Sequence, residues 1–152
     1  MKLKTISLLL TIGITLLSCK DTIKKEPAQL NLEMFSPSKL DDYGNMVFLE
    51  NTKCKTAPIA LEKGSYNLEL TGYSLPKEPI KGENAHILIK ANNIEIANFN
   101  LSNDNTKSEN KFTITYDKDT NVSFEIIYDN DLFDNGLDRN ALIQKINLKK
   151  IL

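Results

Sequence analysis

The sequence predicts an all-β protein, a single antiparallel β-sandwich of jelly-roll-like order with about eight short strands. Three features of the 152 residues support this fold class. Apolar and polar residues alternate in one short run after another, as in strands with one buried face. Turn residues separate these runs at fairly regular intervals. No stripe of apolar residues at helical spacing follows the N-terminal segment. A small open barrel is the alternative architecture.

The first half of the domain contains four alternating or apolar runs, at residues 30–34, 46–49, 59–61 and 66–70. Residues 37–45 and 62–65 separate them as a loop and a turn. Pro76, Pro79 and Gly82 then mark a long loop, since proline cannot donate a hydrogen bond in a sheet interior.

The second half contains five further runs, at residues 85–89, 94–101, 112–116, 122–128 and 141–148. Asn92-Asn93 predicts a tight hairpin, because asparagine tolerates left-handed backbone conformations. Residues 102–110 are polar and predict a loop, and a break in phase at Gln144-Lys145 predicts a β-bulge. The alternation places eight side chains in the core: Leu68, Leu70, Ile87, Ile89, Phe112, Ile114, Phe124 and Ile126.

The N-terminus has the three parts of a secretory signal: a basic start at residues 1–4, an apolar run at 6–17, and a small residue, Ser18. The run is too short for a typical spanning helix, and no stop-transfer charges flank it, so a spanning anchor is the weaker alternative. Cys19 follows the small residue directly. This arrangement resembles the bacterial lipoprotein signal, in which the cysteine is acylated and becomes the mature N-terminus.

The chain therefore divides into a signal peptide at 1–18, a lipidated N-terminus and tether at 19–29, and a β-sandwich at 30–152. The residues after Cys19 resemble the surface-export signals of lipoproteins in the Bacteroidetes. We expect the lipid on Cys19 to anchor the protein to the outer membrane of the cell envelope. Lipidation of Cys19 leaves Cys54 without a partner, so no disulfide is expected.

Several function classes lack support in the sequence. The formal net charge is −1 and the lysines are scattered, so nucleic acid is not an expected partner. His86 is the only imidazole, and a lone histidine in a strand is more often packed or solvent-facing than a base. The sequence has no nucleophile elbow, no zinc-ligand spacing and no glycine-rich phosphate loop. We therefore predict that the protein is not an enzyme.

The most unusual stretch is the aspartate loop, residues 129–140, which packs four aspartates and three asparagines between two strand runs. A solvated turn is the simplest interpretation, because these residues are common in loops. The helix-loop-helix calcium pattern does not fit. Phe133 stands where an oxygen ligand is needed, and Asn140 replaces the closing glutamate.

Aspartates that converge on one point repel each other, so a cation or Arg139 has to lie among them. Ca²⁺ takes six to eight oxygen ligands. We therefore predict that Asp131, Asp134 and Asp138 hold Ca²⁺ together with backbone carbonyls, with Gly136 allowing the tight turn. For Arg139, the only arginine of the chain, we predict a structural role in which its guanidinium braces one aspartate.

The order Asn130-Asp131, then Gly136, then Asp138-Arg139-Asn140 resembles the closing signature of the calcium-dependent xylan-binding modules. Upstream, residues 63–68 resemble the G-x-Y-x-L strand of that family, and residues 85–96 its next strand, turn and strand. The resemblance covers about 46–148 and implies a β-sandwich with a loop-bound Ca²⁺ that coordinates vicinal sugar hydroxyls. The metal ligands it implies are Asp131, Asp134 and Asp138, and the ligand-binding residues are Phe133, Asn130, Asn135 and Asn140.

These features together predict a non-catalytic envelope lipoprotein that binds xylan or another polysaccharide with vicinal hydroxyls. Its expected partners are the polysaccharide, the membrane through the lipid on Cys19, and other glycan-uptake proteins of the envelope. The alternative is a structural or protein-interaction lipoprotein. In that case the aspartates and Arg139 form a metal-free network that locks the loop.

Overall fold

The computed structural model describes residues 29–103 and 108–151. The predicted signal peptide, the lipidation site Cys19 and nearly all of the tether lie outside the described residues. The domain prediction for these segments therefore stays a prediction. Among the residues that the structure describes, no helix has the length and apolar character needed to cross a membrane.

The regular structure of the described chain consists of strands and one 3₁₀ turn at Leu32–Met34, where the sequence predicts an alternating strand run. The thirteen strands in these residues are β1 (Phe35–Ser36), β2 (Met46–Phe48), β3 (Thr52–Thr56), β4 (Ile59–Leu61), β5 (Gly64–Leu75), β6 (His86–Ala91), β7 (Ile94–Asn100), β8 (Ser108–Tyr116), β9 (Thr120–Val122), β10 (Phe124–Tyr128), β11 (Phe133–Asp134), β12 (Leu137–Asp138) and β13 (Asn140–Lys150).

Two main sheets carry the fold, and every strand pair in them is antiparallel. The first sheet has the order β1-β3-β10-β6-β7, and the second has the order β2-β13-β5-β8. Short ribbons pair β4 with β9 and β11 with β12. The prediction of an antiparallel β-sandwich is confirmed, with strands of two to twelve residues.

The core lies between the two sheets and is built from alternating strand positions. Six of the eight predicted core residues are fully buried: Leu68, Leu70, Ile87, Ile89, Phe124 and Ile126. Phe112 and Ile114 are only partly buried, which corrects the prediction for these two. They lie on β8, and β8 is the edge strand of its sheet, so no further strand covers them.

Strand β3 was not predicted, because its sequence Thr-Lys-Cys-Lys-Thr lacks an apolar alternation. Its two lysines point away from the core toward Glu125 on β10. The Lys53 and Lys55 ammonium groups lie 2.9 and 3.0 Å from the two Glu125 carboxylate oxygens. The hydrogen bond from Lys53 outweighs burial and lowers the pKa of Glu125, whose side chain is only 2% exposed. A tertiary ion pair therefore stabilises a strand that local sequence does not favour.

The predicted turns have mixed outcomes. Asn92 and Asn93 have positive φ angles of 49° and 68°, and the register of β13 shifts between Ile143 and Lys145, so the hairpin and the bulge are confirmed. The predicted loop at 102–110 is too long at its end, since β8 already begins at Ser108. The pairing of β8 with β5 extends β8 into the polar residues 108–110.

Cys54 is free within the described residues and lies buried on β3. Burial raises the pKa of its thiol to about 11, and the thiol donates to the Pro37 carbonyl. The group is therefore protonated at neutral pH, which suits a packed residue and not a nucleophile.

Candidate functional site

The aspartate loop lies at one end of the sandwich, where it connects β10 of one sheet with β13 of the other. Two further segments meet it there. The β2–β3 linker, residues 49–51, contacts it through Asn51, whose side-chain oxygen accepts a hydrogen bond from the Asp131 N–H at 2.8 Å. The β5–β6 loop, residues 76–85, contacts it through Ile80 and Asn84.

A small hairpin forms the tip of the aspartate loop, because β11 and β12 are joined by Asn135 and Gly136. Their φ angles are 51° and 80°, and two successive positive values define the type I′ turn that Asn-Gly favours. The predicted role of Gly136 in a tight turn is thus confirmed. The Asn135 side chain is exposed and donates to the neighbouring Asp134 carboxylate at 3.2 Å.

The register of this hairpin separates its two aspartates. Phe133 pairs with Asp138 and Asp134 pairs with Leu137, and neighbouring strand residues point to opposite faces. Asp138 therefore shares a face with Phe133, which is 70% exposed. Asp134 lies on the other face, where its carboxylate is 3.7 Å from the Lys81 ammonium group. The structure thus does not bring Asp134 and Asp138 to one point.

Arg139 holds the base of the loop and is only 2% exposed. Its guanidinium donates to the backbone carbonyls of Asn130 and Ile80, at 2.7 and 2.5 Å. The nearest carboxylate is that of Glu83, at 3.5 Å. Arg139 is thus structural as predicted, but it braces two carbonyls and Glu83 instead of an aspartate of the loop.

Asp131 and Asp138 both act on the buried hydroxyl of Tyr128. Burial has the largest effect and raises the Tyr128 pKa. The negative charges of Asp131 and Asp138 raise this pKa further, whereas the positive charge of Arg139 lowers it. The hydroxyl itself donates to the Arg139 carbonyl. The charges of both Asp131 and Asp138 therefore act on this one buried hydroxyl.

Two buried oxygen atoms in this region have no hydrogen bond of good geometry: Oδ1 of Asp131 and Oδ1 of Asn140. The Asp131 carboxylate nevertheless lies close enough to the Tyr128 hydroxyl for a weak hydrogen bond to raise the pKa of that hydroxyl. The other end of the Asn140 amide donates to Asp138 at 3.3 Å. A buried acceptor without a partner costs about 1–3 kcal/mol, whereas such oxygens are the ligands that Ca²⁺ prefers. The oxygens of Asp131, Asp138 and Asn140 therefore have the chemistry that a calcium ion binds.

A calcium site at this loop cannot be built from carboxylates alone. Within 29–103 and 108–151, no group of three or more histidine, cysteine, aspartate or glutamate side chains is close enough to hold a metal ion. A calcium site here needs the Asn140 amide and backbone carbonyls as well, as is common for this ion.

The side chain of Asn130 forms hydrogen bonds within the protein. Its side-chain oxygen accepts a hydrogen bond from the backbone N–H of His86, and its side-chain nitrogen donates one to the Asn84 carbonyl, both at 2.8 Å. The amide thus ties the aspartate loop to the start of β6. Of the four predicted ligand-binding residues, Phe133 and Asn135 are exposed, Asn140 is half-buried beside Asp138, and Asn130 is an internal anchor.

Sequence reasoning missed Asn51, Tyr128 and Ile80 as parts of this site. Tyr128 directly precedes the loop, and its position at the end of an alternating strand is a usable signal for a buried hydroxyl. Asn51 and Ile80 contact the loop from 80 and 59 residues away. No local pattern in the sequence indicates such contacts.

The architecture can be compared with proteins of known structure. No protein-family model matches the chain, and a search of curated proteins gives no match. Among solved structures, the chain is similar to the CBM36-1 domain of a multidomain xylanase from the hindgut metagenome of Trinervitermes trinervoides. The TM-score is 0.57 with 14% identity, over 82% of this chain and 97% of that domain. The similarity shows that the two proteins share a β-sandwich fold.

A second similar structure belongs to BtGH115A, a family GH115 4-O-methyl-α-glucuronidase with specificity for decorated arabinogalactans. The TM-score is 0.55 with 9% identity, over 84% of this chain. This chain covers only 18% of that enzyme, so the similarity concerns one part of it.

His86 links the site to the outer face of the first sheet. Its ring nitrogens lie 2.6 Å from the Asp129 carboxylate and 2.7 Å from the Asn98 side-chain oxygen. Burial lowers the His86 pKa, but the hydrogen bonds to Asn98 and Asp129 and the charges of Asp129 and Glu95 outweigh it, so the pKa is raised.

A pKa raised in the folded state stabilises the fold most below the unfolded value of 6.5, and this contribution is lost as the pH rises through the folded value. We expect His86→Asn to destabilise the domain by about 1 kcal/mol near pH 5.5 and by less near pH 8.5. Urea unfolding at several pH values measures this. Lys90→Gln, on the same strand, is the control, and a pH-independent loss in His86→Asn would contradict the prediction.

Proposed function

We propose that the protein is a non-catalytic cell-envelope lipoprotein that binds a polysaccharide through Ca²⁺ held by the aspartate loop. The observation that carries this proposal is the pair of buried oxygens without a hydrogen bond of good geometry, Oδ1 of Asp131 and Oδ1 of Asn140. Both belong to the segment that resembles the calcium-dependent xylan-binding modules. The similarity of fold to a carbohydrate-binding module supports the same function.

In this proposal Asp131, Asp138 and Asn140 supply oxygen ligands together with backbone carbonyls. When bound, Ca²⁺ accepts vicinal sugar hydroxyls at its remaining coordination positions. Arg139 and Asn51 position the loop by holding its backbone, which lowers the cost of ordering it on binding.

Phe133 supplies an apolar surface for the sugar. Its side chain is 70% exposed and lies on the same face of the hairpin as Asp138. An aromatic ring presented beside polar ligands suits a sugar, which has an apolar face and a hydroxyl-rich edge. Because a xylanase carries the similar CBM36-1 domain, xylan is the first polysaccharide to test.

The lipid on Cys19 and the tether at 19–29 complete the proposal, since they hold the domain at the outer membrane. A binding protein at that place suits a role beside other glycan-uptake proteins of the envelope. Labelling of the protein with a radioactive fatty acid tests the anchor. Cys19→Ser is expected to abolish the label, and a label that persists would contradict the anchor.

We expect chelation of calcium to abolish retention of the protein on xylan, and Asp138→Ala to weaken retention by about tenfold or more. Affinity electrophoresis with and without EDTA measures this. Asp134→Ala is the matched control, because Asp134 faces the opposite side of the hairpin. Retention that is unchanged by EDTA would contradict the calcium mechanism. An equal loss of retention in Asp134→Ala would show that Asp134 is also a calcium ligand.

The alternative function is a structural or protein-interaction lipoprotein with a metal-free loop. The hydrogen bonds from Arg139 to the Asn130 and Ile80 carbonyls favour it, because they hold the loop without any metal. The two functions differ in whether calcium stabilises the fold.

A further inference from the structure

The outer face of the second sheet carries a groove, on the side away from the core. We call it the sheet groove. Its volume is about 310 Å³, and its lining residues are Glu69, Thr71, Glu109, Gln144 and Lys145. Glu69 and Thr71 point to solvent, because Leu68 and Leu70, which alternate with them on β5, are fully buried. Ligand sites have volumes of about 300–1,000 Å³, so the groove is large enough for a ligand.

The register of three strands forms the groove. Thr71 on β5 pairs with Lys145 on β13 and with Glu109 on β8, so the three residues make a row across the sheet. The short threonine side chain is the floor, and the two longer side chains flank it. The β-bulge of β13 adds Gln144 to the rim, since Gln144 and Lys145 are both exposed where a regular strand would alternate.

The chemistry of the groove suits a neutral ligand rich in hydroxyls. All five lining residues end in a polar group, and their methylene stems supply apolar surface between these groups. The Glu69 carboxylate lies 3.2 Å from the Lys111 ammonium group, so the two glutamates and two lysines at the groove cancel in formal charge. A charged ligand therefore gains little net attraction, whereas a neutral sugar uses both the donors and the acceptors.

The same two strands lead from the groove to the proposed calcium site. Asn140, at the start of β13, pairs with Leu75, and Lys145 pairs with Thr71. The two places are thus four residues of β5 apart, or about 13 Å at about 3.3 Å per residue. Tyr73 lies midway between them on the outer face, where it is half-buried and offers a ring to a sugar. A chain of several sugars that starts at the aspartate loop therefore reaches the sheet groove over Tyr73.

We infer that the sheet groove binds further sugars of the same polysaccharide chain that Ca²⁺ holds at the aspartate loop. This inference rests on the proposed function and adds the substrate class: a neutral glycan chain long enough to span both places, in preference to a short oligosaccharide. The aspartate loop anchors the chain through its vicinal hydroxyls, and the groove adds affinity that depends on chain length.

The test titrates the full-length protein with xylobiose and with xylopentaose in the presence of calcium, by isothermal titration calorimetry. We expect xylopentaose to bind more tightly by about tenfold or more. The double variant Glu109→Ala/Gln144→Ala should remove this advantage and leave the affinity for xylobiose unchanged. Both side chains are exposed, so their loss leaves the core intact.

The control is Thr113→Ala/Lys149→Ala, which changes the same two strands on the same face but farther from the aspartate loop. Both residues pair with Asn67, two rows beyond the groove, so the advantage of xylopentaose should persist. A second readout is the amide resonance of Thr71, which xylopentaose should shift in a saturable way and xylobiose should not.

The outcomes separate the inference from the proposed function. Equal affinities for the two sugars, with no effect of the double variant, overturn the inference and leave the proposed function standing. If xylopentaose shifts the Thr71 resonance equally in EDTA, the groove binds the glycan and the calcium mechanism fails. If neither sugar binds in calcium, xylan binding and the inference fail together.

Discussion

Replacing Arg139 by methionine is expected to lower the free energy of unfolding by about 3–5 kcal/mol. The guanidinium is buried and supplies the hydrogen-bond donors for two backbone carbonyls, those of Asn130 and Ile80. Methionine fills a similar volume but leaves both carbonyls without a donor. Hydrogen bonds from a charged group are worth about 1.5–3 kcal/mol each, so the loss of two of them has a large effect.

Thermal unfolding followed by circular dichroism measures this effect, and a fall of the midpoint by roughly 10–20 °C is expected for a domain of this size. Glu83→Gln is the control, because Glu83 is 65% exposed and its ion pair with Arg139 is partly screened by solvent. Arg139→Lys keeps the charge but not the fork of donors, so it should fall close to methionine. A loss below about 1 kcal/mol in Arg139→Met would show that the loop is held by other contacts.

Calcium is expected to raise the midpoint of thermal unfolding of the wild-type domain. An ion that binds only the folded state stabilises it by about 2.7 kcal/mol at one hundred times its dissociation constant. For this domain that corresponds to roughly 10 °C. We expect the gain to come from Asp131 and Asn140, whose buried oxygens lack hydrogen bonds of good geometry.

Asp131→Asn separates this explanation from a general salt effect. The substitution removes one charge from the ligand set, so the calcium-dependent shift should fall strongly. In the presence of chelator the variant should be about as stable as the wild type, because asparagine has nearly the same size and shape as aspartate. Asp134→Ala should keep the full shift. If millimolar calcium does not move the wild-type midpoint, the metal-free structural alternative is favoured.

Much of the fold can be predicted from alternation alone. Leu68 and Leu70 on β5 and Ile87 and Ile89 on β6 occupy every second position, and all four are fully buried. Strand β3 shows the limit of this signal. Its lysines are matched by Glu125, which comes some seventy residues later, and only the folded chain brings them together.

The candidate site can be predicted in position but not in detail. The oxygen-rich sequence between two strand runs places the loop at one end of the sandwich, and Asn135-Gly136 specifies its turn. The composition of the loop does not distinguish Asp134 from Asp138 as a ligand. The hairpin register then turns them to opposite faces, because side chains in a strand alternate with a period of two.

The local features follow from the sequence alone: the two-residue period of the strands, the tight turns, and a segment rich in oxygen ligands. The tertiary structure decided which of those oxygens lie together and what holds them. Asn51 and Ile80 contact the aspartate loop from 80 and 59 residues away. Contacts over such separations depend on how the two sheets pack, and no short stretch of sequence encodes them.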